Sequence, residues 1–287
     1  MMVLYRFLAF SFVFLVYGFA IAISGYDRLY NPFNGRTIDI LYDDHIPQAH
    51  LSTSDMEKAH LATVEKLLDP GERRFLQMLR ILNKQPKGST ALIWEQGINT
   101  DANSEFIGHS HRLIKNQFKN IRYVASDISR DAYEALVYCS QRRGRRVSQC
   151  IYGCSLDNPL PLSSEKKNSI VHHSGVKAWH EYKKFYAKTI TSLKKHFAKR
   201  KYCTFADFEN NDIFDSLADS EMLSHLLAAS EKHVIVFAGG WHSHNIVNFL
   251  KKRLNCSLTY STHPQGRQVA ISALERIAKP QTISTKN

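Results

Sequence analysis

Residues 233–245, which read HVIVFAGGWHSHN, place a strong constraint on the fold. Residues 234–238 are apolar and mostly β-branched or aromatic, which is typical of a strand buried on both faces. Gly239 and Gly240 then predict a sharp exit from the strand, and a helical pattern of apolar residues follows. Ligands of open α/β sheets bind beside the carboxyl ends of the strands. His242 is therefore a candidate metal ligand or proton carrier.

Three earlier segments, 37–42, 91–94 and 121–125, are also strand-like, and helical patterns separate them. This alternation predicts an α/β fold with a central, largely parallel or mixed sheet flanked by helices. Because right-handed crossovers make such strands parallel, their carboxyl ends are expected to meet at one edge. The helical patterns cover 52–68, 75–82, 103–119, 129–141, 176–199 and 214–230, and further strands are predicted at 257–261 and 268–271.

Ionisable side chains follow each of these strands. Asp43 and His45 follow the first, Glu95 the second and Asp127 the third, and His242 follows the last. Each one alone has an ordinary explanation, as a helix N-cap or as a hydrogen-bonded core histidine. Together, histidines and carboxylates on one edge suit a divalent metal ion or general acid–base catalysis.

Residues 1–22 have the composition of a secretory signal peptide. Arg6 gives the start a positive charge, residues 7–22 are almost wholly apolar, and residues 20–22 (AIA) have the small-x-small form that precedes a cleavage site. The alternative is an uncleaved membrane anchor through residues 7–24, since the apolar run reaches the lower limit for spanning a bilayer. Both interpretations predict an exported protein, which is periplasmic, secreted or membrane-anchored.

The rest of the chain is long enough for one sizeable core, and a single α/β domain is predicted over 23–278 with a flexible polar tail at 279–287. Residues 144–230 are interpreted as a helical and loop insertion. Its first part, 144–175, predicts a loop or a lid over the strand ends. The following helix, 176–199, carries a broad apolar stripe that predicts a core or domain interface.

The chain has five cysteines, an odd number, so one thiol is expected to stay free or to pair between chains even in an oxidising compartment. The cysteines form no CxxC pair, which argues against a zinc knuckle. Cys139, Cys150 and Cys154 flank one irregular stretch. They fit a local disulfide or unpaired cysteines equally well.

Basic residues outnumber acidic ones by 38 to 26, for a net charge of +12. They cluster at 142–146, 194–201 and 251–253, far apart in sequence and with no recognisable nucleic-acid-binding module around them. This pattern argues against a nucleic acid as partner. For an exported protein an anionic membrane surface or cell-surface polymer is more accessible, and a solvated helix face is the ordinary explanation of each cluster.

Three short sequences match the signatures of a known superfamily in their order along the chain. Residues 239–242, GGWH, follow the pattern GxxH after a strand, and residues 93–95, IWE, end a strand on Glu. Residues 42–45, YDDH, take the place of a GExH signature, with Asp43 for its Glu and Tyr42 for its Gly. In these features the chain resembles the superfamily that joins the Tiki/TraB/PrgY/GumN proteins, the ChaN-like haem-binding proteins and the erythromycin esterases.

The resemblance implies an α/β fold of that superfamily and a catalytic site built from His45, Asp43, Glu95 and His242. The implied activities are metal-dependent proteolysis as in Tiki, hydrolysis of a lactone, or haem binding as in ChaN. For hydrolysis of a small molecule or peptide, a divalent metal ion held by His45, Glu95 and His242 would activate a water, with a carboxylate as general base. Without a metal, His45 would activate the water directly, oriented by Asp43 or Glu95.

Tyr42 changes the first signature, because a phenol fills space where the superfamily has glycine. Its hydroxyl is also able to donate a hydrogen bond to a developing oxyanion. Tyr42, Asp127 and Trp241 are therefore the predicted ligand-binding residues. The aromatic side chains of Tyr42, Trp94, Tyr123 and Trp241 are available as flat walls of a site, which keeps haem open as an alternative cofactor. The altered signature and the basic clusters suggest a third alternative, a catalytically inactive surface or interaction protein.

Overall fold

The computed structural model describes residues 23–43, 70–95, 117–126, 163–197, 212–262 and 274–278. The elements in chain order are β1 (Ile23–Asn31), β2 (Arg36–Asp43), α1 (Pro70–Asn83), β3 (Thr90–Trp94), β4 (Ile121–Ala125), α2 (Ser164–Phe197), α3 (Asp212–Ala228), β5 (His233–Gly239), α4 (Gly240–Leu254) and β6 (Ser257–Thr262). A short helix at 274–278 follows.

The strands form one six-stranded mixed sheet in the order β4–β3–β5–β2–β1–β6. The first four strands in this order are mutually parallel, and β1 and β6 extend the sheet in antiparallel fashion. The predicted α/β class, with a mixed sheet and flanking helices, is thereby confirmed. Because β5 lies between β3 and β2, the carboxyl ends of these three strands are neighbours.

Helices cover both faces of the sheet. Ile40, Ile93 and Val236 point to one face, where they share a buried apolar cluster with residues of α2, α3 and α4. Leu92 and Phe237 point to the other face and pack with α1 and the short helix at 274–278. Strands that are buried on both faces explain the nearly continuous apolar runs in the sequence.

The helix α2 differs from its prediction, since it begins at Ser164 rather than at 176. The Ser163 hydroxyl accepts a hydrogen bond from the backbone N–H of Lys166 at 3.1 Å, which caps the first turn. Ile170 is fully buried against the other helices, so burial as well as capping stabilises this part as a helix. Gly175 interrupts the helix with a left-handed φ of 88°, which separates the two parts.

The strand β1 was not predicted, because its sequence ISGYDRLYN lacks a continuous apolar run. Its polar side chains are buried and satisfied by partners. Arg28 donates hydrogen bonds of 2.7 and 2.9 Å to the two oxygens of Asp39 in β2. Tyr26 donates to one of these oxygens at 2.7 Å, and His233 in β5 lies 2.6 Å from the other. A paired network of this kind makes burial of polar residues tolerable.

The junction between β5 and α4 lies where the sequence predicts it. Gly239 ends the strand with φ −52°, and Gly240 begins the helix. The glycines with positive φ in the described chain are Gly35, Gly88 and Gly175. The predicted sharp exit from the strand is therefore present, and it is made without a positive φ at Gly239 or Gly240.

Other predictions concern residues outside those described. These are the segments 1–22, 52–68, 129–141 and 268–271, most of 103–119, the basic cluster 142–146, and four of the cysteines, Cys139, Cys150, Cys154 and Cys203. The remaining cysteine, Cys256, is a buried free thiol. Within the described part of the chain, no helix combines the length and apolar character needed to cross a membrane.

Candidate active site at the carboxyl edge of the sheet

Glu95 and His242 meet where β3 and β5 end. The backbone N–H of Glu95 donates to the carbonyl of Phe237 at 2.9 Å, which continues the pairing of the two strands by one residue. One carboxylate oxygen of Glu95, Oε2, accepts the backbone N–H of Gly239 at 2.6 Å. The other, Oε1, lies 3.1 Å from Nε2 of His242. The Glu95 carboxylate is thus fixed between a strand end and a helix start.

The other side of the His242 ring faces a second carboxylate. Nδ1 of His242 lies 2.7 Å from Oδ1 of Asp219, which is in α3 and almost fully buried. The second oxygen of Asp219 accepts a hydrogen bond from the side-chain amide of Asn245 at 2.9 Å. Both oxygens of Asp219 therefore bind groups of α4, and the imidazole is held at both nitrogens.

Ser243 fixes the start of α4 against the strand ends. Its buried hydroxyl lies 2.9 Å from the carbonyl oxygen of Ala238 and 3.3 Å from that of Leu41. These contacts tie the first turn of the helix to both β5 and β2. His242, the preceding residue, is consequently held in place by the backbone as well as by its own ring contacts.

The two carboxylates control the protonation of His242. Burial alone lowers the pKa of an imidazole, but the hydrogen bonds and charges of Asp219 and Glu95 outweigh it and raise the pKa of His242 to about 11. Burial also raises the pKa of Asp219, although its bonds to His242 and Asn245 oppose that shift. At neutral pH the ring is accordingly an imidazolium that donates from both nitrogens.

The arrangement of Asp219, His242 and Glu95 places a proton donor beside a proton acceptor. A carboxylate that receives Nδ1–H fixes the ring orientation and leaves Nε2 as the reactive position. Nε2 faces Glu95, so a proton donor and a proton acceptor lie side by side. The His242 side chain is 10% exposed and that of Glu95 is 13% exposed, so the pair is nearly enclosed but reaches the surface. The pair thus supplies an acid and a base in one site, the two functions that general acid–base catalysis requires.

The structure places the other predicted site residues differently. Asp43 ends β2, and its backbone is paired in the parallel ladder with that of Gly239. Gly239 is also the residue whose backbone N–H binds Glu95. Tyr42 is buried, and its hydroxyl donates to Asp27 at 2.6 Å, so this hydroxyl already has a carboxylate partner. His45 and Asp127 lie outside the described residues.

The predicted aromatic walls are divided between core and surface. Trp94 is buried and packs on Phe75 and Phe237, with ring centroids 5.7 and 5.0 Å apart, so it belongs to the core. Trp241 is 59% exposed and lines a cavity on the side of the sheet that α2, α3 and α4 cover. Neither the haem prediction nor the inactive-protein prediction is tested by these positions, and both stay predictions.

Sequence reasoning missed Asp219, and a signal for it existed. In the helix α3, Asp219 lies three and four residues before Met222 and Leu223, which puts a carboxylate on an apolar helix face. A buried acid on such a face requires a partner, and His242 is that partner. The sequence shows a carboxylate on an apolar helix face, and only the packing of α3 against α4 shows that His242 is its partner.

Of the three predicted metal ligands, Glu95 and His242 lie in contact with each other. Among the described residues, no group of three or more His, Cys, Asp or Glu side chains is arranged to hold a metal ion. Glu95 and His242 make a pair, and the third predicted ligand, His45, falls outside that part of the chain. The 3.1 Å between Nε2 and Oε1 is close to the separation of about 3.3 Å expected for two tetrahedral ligands of one ion.

The comparisons with known proteins assign no family. No family model matches the chain, and searches of curated proteins and of solved structures give no significant match. The superfamily resemblance therefore rests on the sequence signatures alone.

Proposed function

We propose that the protein is an exported hydrolase that cleaves a peptide or ester bond with Glu95 and His242 as its catalytic pair. The observation that carries this proposal is the chain of contacts from Asp219 through His242 to Glu95 at the carboxyl edge of the sheet. A histidine held between two carboxylates in a nearly enclosed site has a strongly shifted pKa, and such groups concentrate at active sites.

In the proposed reaction Glu95 is the base and His242 the acid. The Glu95 carboxylate accepts a proton from a water whose oxygen attacks the carbonyl carbon of the substrate. The Nε2–H of His242 then passes to the leaving oxygen or nitrogen as the C–O or C–N bond breaks. Asp219 keeps the ring oriented and stabilises its positive charge before the transfer.

A metal-assisted reaction is the alternative form of the proposal, in which Glu95 and His242 bind a divalent ion instead of acting as base and acid. Glu95 and His242 would hold it, together with His45 if the superfamily resemblance is correct. Such an ion would lower the pKa of a bound water toward neutrality. Asp219 would then take the role of the carboxylate that commonly receives the second N–H of a metal-bound histidine. Nε2 of His242, which lies 3.1 Å from Oε1 of Glu95, would have to lose its proton for the ion to bind.

The strand order supports the more specific fold of the Tiki, ChaN and erythromycin-esterase superfamily. The three signature-like sequences end β2, β3 and β5, and these are consecutive neighbours in the sheet. The described parts of signatures that lie far apart in sequence are thereby brought to one edge. We expect His45, two residues after the end of β2, to lie at this edge as well.

Export is proposed from the signal-like residues 1–22. The strand β1 begins at Ile23, directly after the predicted cleavage site, so cleavage there would leave every described strand intact. Amino-terminal sequencing of the protein from an exporting host tests this. A new terminus at Ile23 supports cleavage, and an intact terminus in the membrane fraction supports an anchor through residues 7–24 instead.

Activity measurements on paired histidine variants test the proposed function. The purified protein is assayed on fluorogenic peptides and p-nitrophenyl esters, with and without added Zn²⁺, Mn²⁺ or Co²⁺. His242→Gln is expected to lower kcat by a factor of about 100 or more, because it removes the acid. His244→Gln, two residues further along and exposed, serves as the matched control and is expected to retain full activity. An active native protein whose His242→Gln variant is equally active would refute the assignment.

A further inference from the structure

A cavity of about 510 Å³ lies between the helices α2, α3 and α4, on the side of the sheet that these helices cover. This volume is within the range of small-molecule binding sites. Asp219 and Asn245 form part of its wall, whereas neither Glu95 nor His242 does. The cavity is therefore adjacent to the candidate active site but distinct from its Glu95–His242 pair.

The walls of the cavity carry an excess of positive charge. Four basic side chains line it, namely Lys184, Lys188, Lys252 and Arg253. Glu181 pairs with Lys184 at 2.8 Å and lies 3.9 Å from Arg253, so one carboxylate serves these two cations. In the described part of the chain Lys188 and Lys252 have no ion-pair partner. Asp219 does not compensate them, because its oxygens bind His242 and Asn245.

Aromatic rings lie beside these charges. Phe185 and Phe249 pack edge to face with ring centroids 5.5 Å apart, and both line the cavity. The indole of Trp241 also lines it and is 59% exposed. A large exposed indole and two ammonium groups in the wall of one cavity offer apolar contact and charge together.

We propose that this cavity binds a small organic anion with a flat apolar part, its anionic group between Lys188 and Lys252 and its flat part against Trp241, Phe185 and Phe249. Of the basic cluster 251–253, Lys252 and Arg253 line the cavity, whereas Lys251 does not. This binding site does not depend on the proposed hydrolysis, because neither Glu95 nor His242 contacts the proposed anion.

Binding of naphthalene-2-sulfonate, followed by calorimetry and by tryptophan fluorescence, tests the proposal. The variant Lys188→Gln/Lys252→Gln is expected to weaken binding by a factor of about 10 or more, since it removes both ammonium groups. The matched variant Lys183→Gln/Lys251→Gln changes the same two helices by the same charge outside the cavity, and it is expected to stay within about twofold of the native affinity. Glu95→Gln is expected to bind normally.

Two simpler probes separate the contributions of charge and ring. The neutral 2-naphthol and the small anion methanesulfonate are each expected to bind at least about tenfold more weakly than naphthalene-2-sulfonate. The proposal is overturned if the native protein does not bind naphthalene-2-sulfonate at about 10 mM. It is also overturned if the control pair loses as much affinity as the cavity pair, or if 2-naphthol binds as tightly as the sulfonate.

Discussion

The protonation state of His242 depends on side chains from two other elements. Asp219 comes from α3 and Glu95 follows β3, while His242 itself lies in the first turn of α4. Burial of the ring favours its neutral form, and the two carboxylates favour the charged form more strongly. Removing either carboxylate would therefore shift the imidazole toward neutrality. The chemistry of this residue is set by its neighbours rather than by its position after a strand.

The pH dependence of stability should report this coupling. The pKa of His242 is about 11 in the folded protein against an ordinary 6.5, so its contribution to stability is complete below about pH 6.5 and is lost as the pH rises toward about 11. The difference in free energy of unfolding between the native protein and His242→Gln should thus be larger at about pH 6 than at about pH 10. Urea titrations at the two pH values measure it. His244→Gln should follow the native protein at both, and a pH-independent effect of His242→Gln would contradict the coupling.

Two junctions involving glycine show how differently the same residue type contributes to an element. Gly240 begins α4, and a methyl group added there would meet no atom within 4 Å. Gly175 divides α2 with φ 88° and ψ 164°, a conformation that other residues rarely adopt. A methyl group at Gly175 would also lie 2.7 Å from the ring of Phe33. Only the second glycine is required by the backbone.

Alanine substitutions distinguish the two. Gly175→Ala is expected to lower the free energy of unfolding by about 1–3 kcal/mol through backbone strain and contact with Phe33. Gly240→Ala is expected to leave it unchanged or to raise it by up to about 1 kcal/mol, because alanine favours the helix. Thermal and urea unfolding of both variants measure these effects. Equal destabilisation by the two substitutions would show that the GG pair has a backbone requirement after all.

The antiparallel edge of the sheet depends on a buried charge. Asp39 is fully buried and joins β2 to β1 through Arg28 and to β5 through His233. Burial raises the pKa of Asp39, but the bonds from His233 and Arg28 outweigh it and lower the pKa below its ordinary 3.8. The carboxylate therefore stabilises the fold above about pH 4, and this contribution is lost as the pH falls below that value.

Asp39→Asn is expected to destabilise the protein by about 3 kcal/mol or more at neutral pH, because it leaves Arg28 buried without its carboxylate. Urea unfolding measures the loss. As a control, Glu181→Gln disrupts the pair with Lys184, whose side chain is 73% exposed, and should leave stability little changed. A similar, small effect of both substitutions would mean that the Asp39 network is not needed to hold β1.

For the molecule as a whole, the sequence is informative about strands and much less so about which elements pack together. The apolar runs at 91–94, 121–125 and 234–238 predict three strands of the sheet, and the residues after them include Glu95 and His242. Asp219 could not be assigned, because its role depends on contact between α3 and α4. The strand β1 escaped prediction because its buried polar residues need partners from other strands. Sequence periodicity indicates local structure, whereas the contact of Asp219 with His242 and the pairing of the polar residues of β1 join distant parts of the chain.

The order of the sheet also explains how residues distant in sequence form one site. The strand β5 is inserted between β3 and β2, so a site residue near position 95 meets one near 242. Helices α2 to α4 then cover one face and bring Asp219 to the back of the imidazole. The same three helices enclose the cavity proposed to bind an organic anion.

The central claim is that Asp219 and Glu95 together hold His242 as an imidazolium, and NMR of the His242 ring tests it most directly. The ring nitrogen resonances are assigned by comparison with His242→Gln and followed from about pH 5 to pH 10. We expect both nitrogens to remain protonated above about pH 8, and the ring to titrate closer to its ordinary pKa in Asp219→Asn/Glu95→Gln. A native His242 that titrates near pH 6.5 would contradict the claim, because the two carboxylates would then not hold the imidazolium.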